Sequence, residues 1–110
     1  MKVAIIKYNA GNIYSVDYAL KRLGVEAVVT ADKDELRAAD KVIFPGVGEA
    51  ETTMKFLRAS AMDALIKELR QPLLGICLGM QVMCRHSEEG GDVDCLGIFD
   101  TEVKRFVPQK

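Results

Sequence analysis

The chain has 110 residues, 49% of them hydrophobic, and 15 Lys and Arg against 16 Asp and Glu leave a formal net charge of −1. That length suits one domain. Neither sign of charge is gathered into a block, so nothing argues for nucleic acid or an acidic membrane surface as a partner. The first apolar stretch is too short for a signal-peptide core or a membrane span, which points to the cytoplasm. The cysteines, Cys77, Cys84 and Cys95, show neither metal spacing nor a disulfide framework, and no cofactor motif is present.

Short β-rich runs alternate with stretches of helical period, the pattern of βαβ units and a mostly parallel sheet. Val3-Ala4-Ile5-Ile6 reads as the first strand. Ile13, Val16, Leu20 and Leu23 then keep one apolar face of a helix, with Asn12 as its N-cap and Gly24 as its stop. Residues 25–30 are β-branched and read as the second strand, and residues 34–39 as a short helix with an acidic, solvated start at Asp32-Lys33-Asp34-Glu35. Lys41-Val42-Ile43-Phe44 is the third strand, ended by Pro45-Gly46.

From 51 to 69, Met54, Leu57, Ala61, Leu65 and Leu69 hold one apolar face, and Ser60 with Asp63 reads as a capping box that splits the stretch in two. Residues 73–76 are nearly all apolar, as in a central strand buried on both faces. Helical period resumes at Leu78 and runs to the turn at Glu88-Glu89-Gly90-Gly91, with Met80 and Met83 as core residues and Cys84 on the same helix side as Cys77. Residues 96–107 read as one or two further strands. No helix follows to cover them, so the end of the sequence reads as a cut, and the edge it leaves predicts self-association.

Chemistry concentrates at Gly75-Ile76-Cys77-Leu78-Gly79, a G-x-nucleophile-x-G pattern. In such an elbow a sharp strand-to-helix turn presents the nucleophile, and glycines remove side chains that would collide. Cys77 then sits at the positive end of the helix dipole, and the Leu78 N–H, in the first helical turn, has no intrahelical partner and is free to meet a developing oxyanion. The same residues also fit a buried cysteine with glycines placed for helix–sheet packing. The third strand ends in Pro45-Gly46-Val47-Gly48, whose glycines let backbone approach a ligand; alone it reads more readily as a tight turn. Both segments lie at strand carboxyl ends, where open parallel sheets bind ligands, and together they argue for acyl transfer. The single histidine, His86, falls on the far side of the expected helix from Cys77 and reads as an exposed helix-end residue rather than its base.

With these two motifs and Lys7-Tyr8-Asn9-Ala10-Gly11-Asn12 near the start, the chain resembles the class I (triad) glutamine amidotransferases, and among them the glutaminase subunits of imidazole glycerol phosphate synthase. The resemblance implies an α/β fold with an open, mostly parallel, flavodoxin-like sheet flanked by helices. It implies hydrolysis of glutamine through a thioester, with ammonia passed to a (β/α)8 cyclase partner in histidine biosynthesis, and no metal or cofactor.

By position, Cys77 resembles the nucleophile, and Gly46, Val47, Gly48 and Leu78 resemble the oxyanion hole. Gln81 and Glu89 resemble residues that hold the substrate, and Asn12 one at the cyclase interface. The family's catalytic His and Glu lie further along a domain about twice as long, so residues 1–110 resemble its N-terminal part, and this chain alone is expected to be inactive. Two other readings stand beside this one: a catalytically empty binding fragment, and a flavodoxin-like redox or stress-response thiol protein.

Overall fold

The computed structural model describes residues 1–9, 13–46, 48–88 and 92–104. Four parallel strands form its main sheet in the order β2-β1-β3-β4, from β1 (Val3–Ile6), β2 (Ala27–Thr30), β3 (Lys41–Phe44) and β4 (Leu73–Gly75). Between them run α1 (Ile13–Arg22), α2 (Lys33–Ala38), α3 (Ala50–Ala59) and α4 (Met62–Glu68). β1 is buried along its whole length, and its side chains alternate between the two faces of the sheet. Val3 and Ile5 join Ile13 and Ile43 under α1, while Ala4 and Ile6 join Phe44, Leu36, Met54, Leu57 and Leu65 in the larger core on the other face. Full burial of a side chain such as Phe44, Ile5 or Ile6 contributes about 1.5–3 kcal/mol.

Local chemistry explains most of the boundaries. α1 ends where Gly24 takes φ +77° and the Val25 N–H donates to the Leu20 carbonyl, with Gly24 N–H on Lys21, a Schellman closure. Leu23, expected on the apolar face, lies past the last turn and is 77% exposed. Asp32 caps α2, accepting from the N–H groups of Asp34 (2.8 Å) and Glu35 (3.2 Å).

The split between α3 and α4 falls where expected, for a different reason. The Ser60 hydroxyl donates back to the carbonyls of Phe56 (2.9 Å) and Leu57 (3.3 Å), and Ala61, left-handed at φ 56°, turns the chain. No side chain caps α4, so the capping box does not form.

Two larger departures follow. β4 is an edge strand, not a central one: among the described residues it pairs only with β3, and Leu74 is 57% exposed. The helix after Cys77, α5 (Leu78–Val82), has only 5 residues. Its last carbonyls are claimed from outside, Val82 by the Leu96 N–H (2.9 Å) and Met83 by the Phe99 N–H (3.0 Å), so the chain leaves the helix into a strand.

That strand, β5 (Cys84–Ser87), pairs antiparallel with β6 (Val93–Asp94) and parallel with β7 (Phe99–Val103), making a second, three-stranded sheet. Cys84 and His86 are therefore strand residues. Met83 is core as expected, but Met80 is 51% exposed. Among the described residues no helix is long and apolar enough to cross a membrane.

Candidate active site

β3 and β4 run side by side, and their hydrogen-bond ladder continues past both strand ends. The Ile76 N–H donates to the Phe44 carbonyl (3.0 Å) and, two residues on, the Leu78 N–H donates to the Gly46 carbonyl (3.1 Å). Cys77 lies between these rungs, at φ 52° and ψ −116°, and its side chain is exposed. A positive φ at a residue with a Cβ is strained, and the ladder on either side holds it there. Gly79 follows because α5 starts directly against β3: a Cβ on it would overlap the Phe44 carbonyl oxygen, and one on Gly75 would come within 2.8 Å of the Met80 Cα. The cysteine is thus presented at the top of the sheet by backbone contacts on both sides.

The ladder corrects one expectation. First-turn reasoning leaves the Leu78 N–H without a partner, whereas here it is committed to Gly46. The signal was available in principle, because a parallel register that pairs Phe44 with Gly75 brings the residues after both strands alongside each other. The short α5 also gives Cys77 far less aligned backbone than the long helix expected for it.

The loop after β3 is braced by a residue the motifs did not flag. The Tyr8 hydroxyl, just beyond β1, donates to the Pro45 carbonyl, and its ring meets Phe44 edge-on with centroids 5.3 Å apart. Burial pushes the Tyr8 phenol well above its ordinary range, so it stays a neutral donor. A Cβ on Gly46 would strike the same hydroxyl. An aromatic residue with a polar tip, placed in the loop directly after a buried strand, was the available sign. The carboxyl ends of β1, β3 and β4 therefore meet at one place, as expected for a ligand site in an open parallel sheet.

Gln81 is half-buried on α5, its N–H bonded to the Cys77 carbonyl (3.0 Å), so it lies one helical turn from the cysteine on the same side. Gly48 adopts φ +129°. Asn12, Val47 and Glu89 lie outside the described residues.

His86 is on β5, not at a helix end, and its imidazole stands 3.6 Å from both Asp92 and Glu102. Cys84 is buried there, with its thiol against the Met80 carbonyl. Among the described residues no group of three or more His, Cys, Asp or Glu side chains is placed to hold a metal ion. A cavity of about 680 Å³ opens elsewhere, between Arg37 and the end of α4, and none of its lining residues belongs to the elbow.

Comparison with known proteins fits this geometry. Residues 2–107 match the family described as CobB/CobQ-like glutamine amidotransferase domain. The chain belongs to the glutamine amidotransferase family. It is 81% identical over 110 residues to the imidazole glycerol phosphate synthase subunit HisH of Bacteroides fragilis, and 47% identical over 106 residues to the subunit of that name from Idiomarina loihiensis. It spans 56% and 54% of those relatives' lengths. A solved structure described as a glutamine amidotransferase matches with a TM-score of 0.77 at 27% identity, over 94% of this amidotransferase chain and 56% of the other.

Proposed function

We propose that this amidotransferase chain carries the nucleophile and oxyanion-hole part of a glutaminase that supplies ammonia to a (β/α)8 cyclase partner in imidazole glycerol phosphate synthesis, within histidine biosynthesis. One observation carries the reading: an exposed cysteine held at positive φ beside the glycine loop that follows β3, in a chain of this family. The relatives' names, each a subunit of imidazole glycerol phosphate synthase, support a role beside another subunit of that synthase.

The Cys77 sulfur, as thiolate, attacks the side-chain amide carbon of glutamine, forming a C–S bond as the carbonyl electron pair moves onto oxygen. When the oxyanion collapses the C–N bond breaks, and the nitrogen takes up a proton and leaves as ammonia. Water then attacks the thioester, releasing glutamate and restoring the thiol.

The oxyanion donors are the Leu78 N–H with an N–H from the Gly46, Val47, Gly48 loop, each such donor contributing about 3–4 kcal/mol to the transition state. Because Leu78 is spent on the Gly46 carbonyl, it serves the oxyanion only once that carbonyl turns away. Gln81 and Glu89 hold the α-amino and carboxylate groups of glutamine, and Asn12 faces the cyclase.

The proton transfers need a base. The single histidine of this chain is held between two carboxylates on the second sheet, so residues 1–110 acylate at most once and do not turn over. The residues form part of one amidotransferase domain.

An electrophilic glutamine analogue tests the reading. Intact mass and peptide mapping are expected to show one adduct on Cys77, suppressed by excess glutamine and absent in Cys77→Ala, with no steady glutamate release even when the cyclase is added. Labelling of Cys84 or Cys95 instead, or reaction only with peroxide, would transfer the case to a redox thiol. Sustained turnover would refute the missing base.

A further inference from the structure

Between β1 and the elbow lies a buried hydroxyl, that of Tyr8, which takes no part in the bond changes at Cys77. The Lys7 N–H donates to the Thr30 carbonyl (2.9 Å), which extends the pairing of β1 with β2 by one residue and fixes the backbone from which Tyr8 departs. The Tyr8 ring packs in the main core against Phe44, and this carries its hydroxyl to the start of the loop after β3. There it donates to the carbonyl of Pro45, a residue almost wholly buried, so water is no ready substitute for that donor. The α-carbon of Gly46 lies between the same hydroxyl and Leu78: a Cβ there would overlap the Tyr8 oxygen and come within 3.3 Å of the Leu78 Cβ. The peptide joining Pro45 to Gly46 is thus gripped at its carbonyl and at its second α-carbon. The next carbonyl, that of Gly46, is the one that occupies the Leu78 N–H (3.1 Å).

We infer that Tyr8 is a positioning residue for acylation at Cys77: its hydroxyl pins the Pro45–Gly46 peptide, so that the Gly46 carbonyl turns off the Leu78 N–H about a fixed point and leaves that donor aimed at the oxyanion. The inference rests on the glutaminase reading and adds to it the device that holds the loop in place. Glycine at 46 leaves the backbone free to swing its own carbonyl while Pro45 stays. Without the hydroxyl, the buried Pro45 carbonyl loses its donor and a gap opens beneath Gly46. The loop then shifts as a body, and the Leu78 donor no longer meets the developing charge at the separation of about 2.7–3.1 Å that such stabilisation needs. Burial raises the phenol well above its ordinary range, so it remains a donor at any pH at which the thiolate forms. The opposite role, a lock that keeps the Gly46 carbonyl on Leu78, makes the opposite prediction, since loss of the hydroxyl would then speed acylation.

The test uses the γ-(4-nitrophenyl) ester of glutamate, whose leaving group needs no acid. The Cys77 sulfur forms the C–S bond, the ester C–O bond breaks with its electron pair on nitrophenolate, and the thiol proton passes to buffer. The parent chain is expected to give a burst of nitrophenolate stoichiometric with the protein. Tyr8→Phe, which keeps the ring and its packing, is expected to slow the burst about tenfold or more at saturating ester, with the half-saturating concentration unchanged. Tyr14→Phe, which removes an exposed hydroxyl from α1, should match the parent. Alkylation of Cys77 by iodoacetamide is an attack on saturated carbon that builds no oxyanion, and peptide mapping should show one rate in all three proteins. Gly46→Ala, whose methyl would displace the same hydroxyl, is a second variant with the same expected split between burst and alkylation. No burst in the parent refutes the glutaminase reading and this inference with it. A parental burst that Tyr8→Phe leaves equal or makes faster, or that Gly46→Ala leaves equal, overturns this inference alone. So does an alkylation rate that falls in parallel with the burst, because the hydroxyl would then act on the thiol or the fold and not on the oxyanion donor.

Discussion

At the level of single residues, Cys77 is held in a conformation that costs stability. Its φ of 52° and ψ of −116° suit glycine, and an L-residue held in such a region costs about 1–3 kcal/mol. Nothing in core packing repays that cost, since the side chain is exposed. The Ile76 and Leu78 rungs and the close approach of Gly79 to β3 impose it from outside. Cys77→Gly is therefore expected to stabilise the fold by about 1 kcal/mol, the strain relieved being partly offset by the greater freedom of glycine in the unfolded chain. Cys77→Ala keeps the Cβ and with it the strain, and is expected to leave stability nearly unchanged. Urea unfolding of the three proteins decides the matter, the glycine variant having the highest midpoint. A glycine variant less stable than the alanine one would show that the turn is not strained.

Among the elements, the junction of α3 and α4 shows how much the sequence carried and where it misled. The break was visible at Ser60, but the physical device is not a capping box. Ser60 bonds backward into α3, and Ala61 occupies the left-handed position that usually belongs to glycine after a helix. Ala61→Gly is expected to raise stability by about 0.5–1 kcal/mol, since the left-handed conformation costs a Cβ-bearing residue about 1–2 kcal/mol. A thermal melt that drops in this variant would contradict the assignment.

The strands β1 and β3, the short helix α2 and the turn at Cys77 were legible because each is written locally, in short apolar runs, an acidic helix start or paired glycines. The end of α5 was not. Cys84, Arg85, His86 and Ser87 give only a weak local preference, and the partners that turn them into a strand lie at residues 93–103. The occupied Leu78 N–H escaped for the same reason, its partner being fixed by the register between two strands rather than by its own helix. Within the candidate site the strand-to-helix turn at Cys77 was readable, while Tyr8, which braces the loop, needed tertiary contact to be seen.

For the molecule as a whole, the two sheets are secured by different forces, and this sets which part opens first. The main sheet rests on fully buried side chains from both faces of β1 and from β3. Among the described residues the second sheet contributes few side chains to the core, chiefly Val93 and Leu96 beside Val82 and Met83, with a further tie from the Arg58 guanidinium to the Asp94 carbonyl (2.6 Å). Four of the five residues of β7 are exposed. Much of what remains is ionic: Arg85 with Asp100 (3.0 Å) and Glu102 (3.8 Å), and Lys104 with Glu102 (4.0 Å).

Exposed pairs of this kind contribute about 0–1 kcal/mol each and weaken as salt rises. Native-state hydrogen exchange should then fall in two classes, with amides of β1 and β3 opening only in global unfolding and those of β5 and β7 exchanging about a hundredfold faster, a gap of about 2.7 kcal/mol. Raising the salt concentration should widen that gap by speeding exchange in the second sheet alone. Uniform protection across both sheets, or a salt effect confined to β1 and β3, would mean that the second sheet is part of one cooperative unit with the first. In the two-class case, opening of the second sheet releases the Val82 and Met83 carbonyls that end α5, so the stretch following Cys77 and Gln81 becomes the first part of the site to loosen.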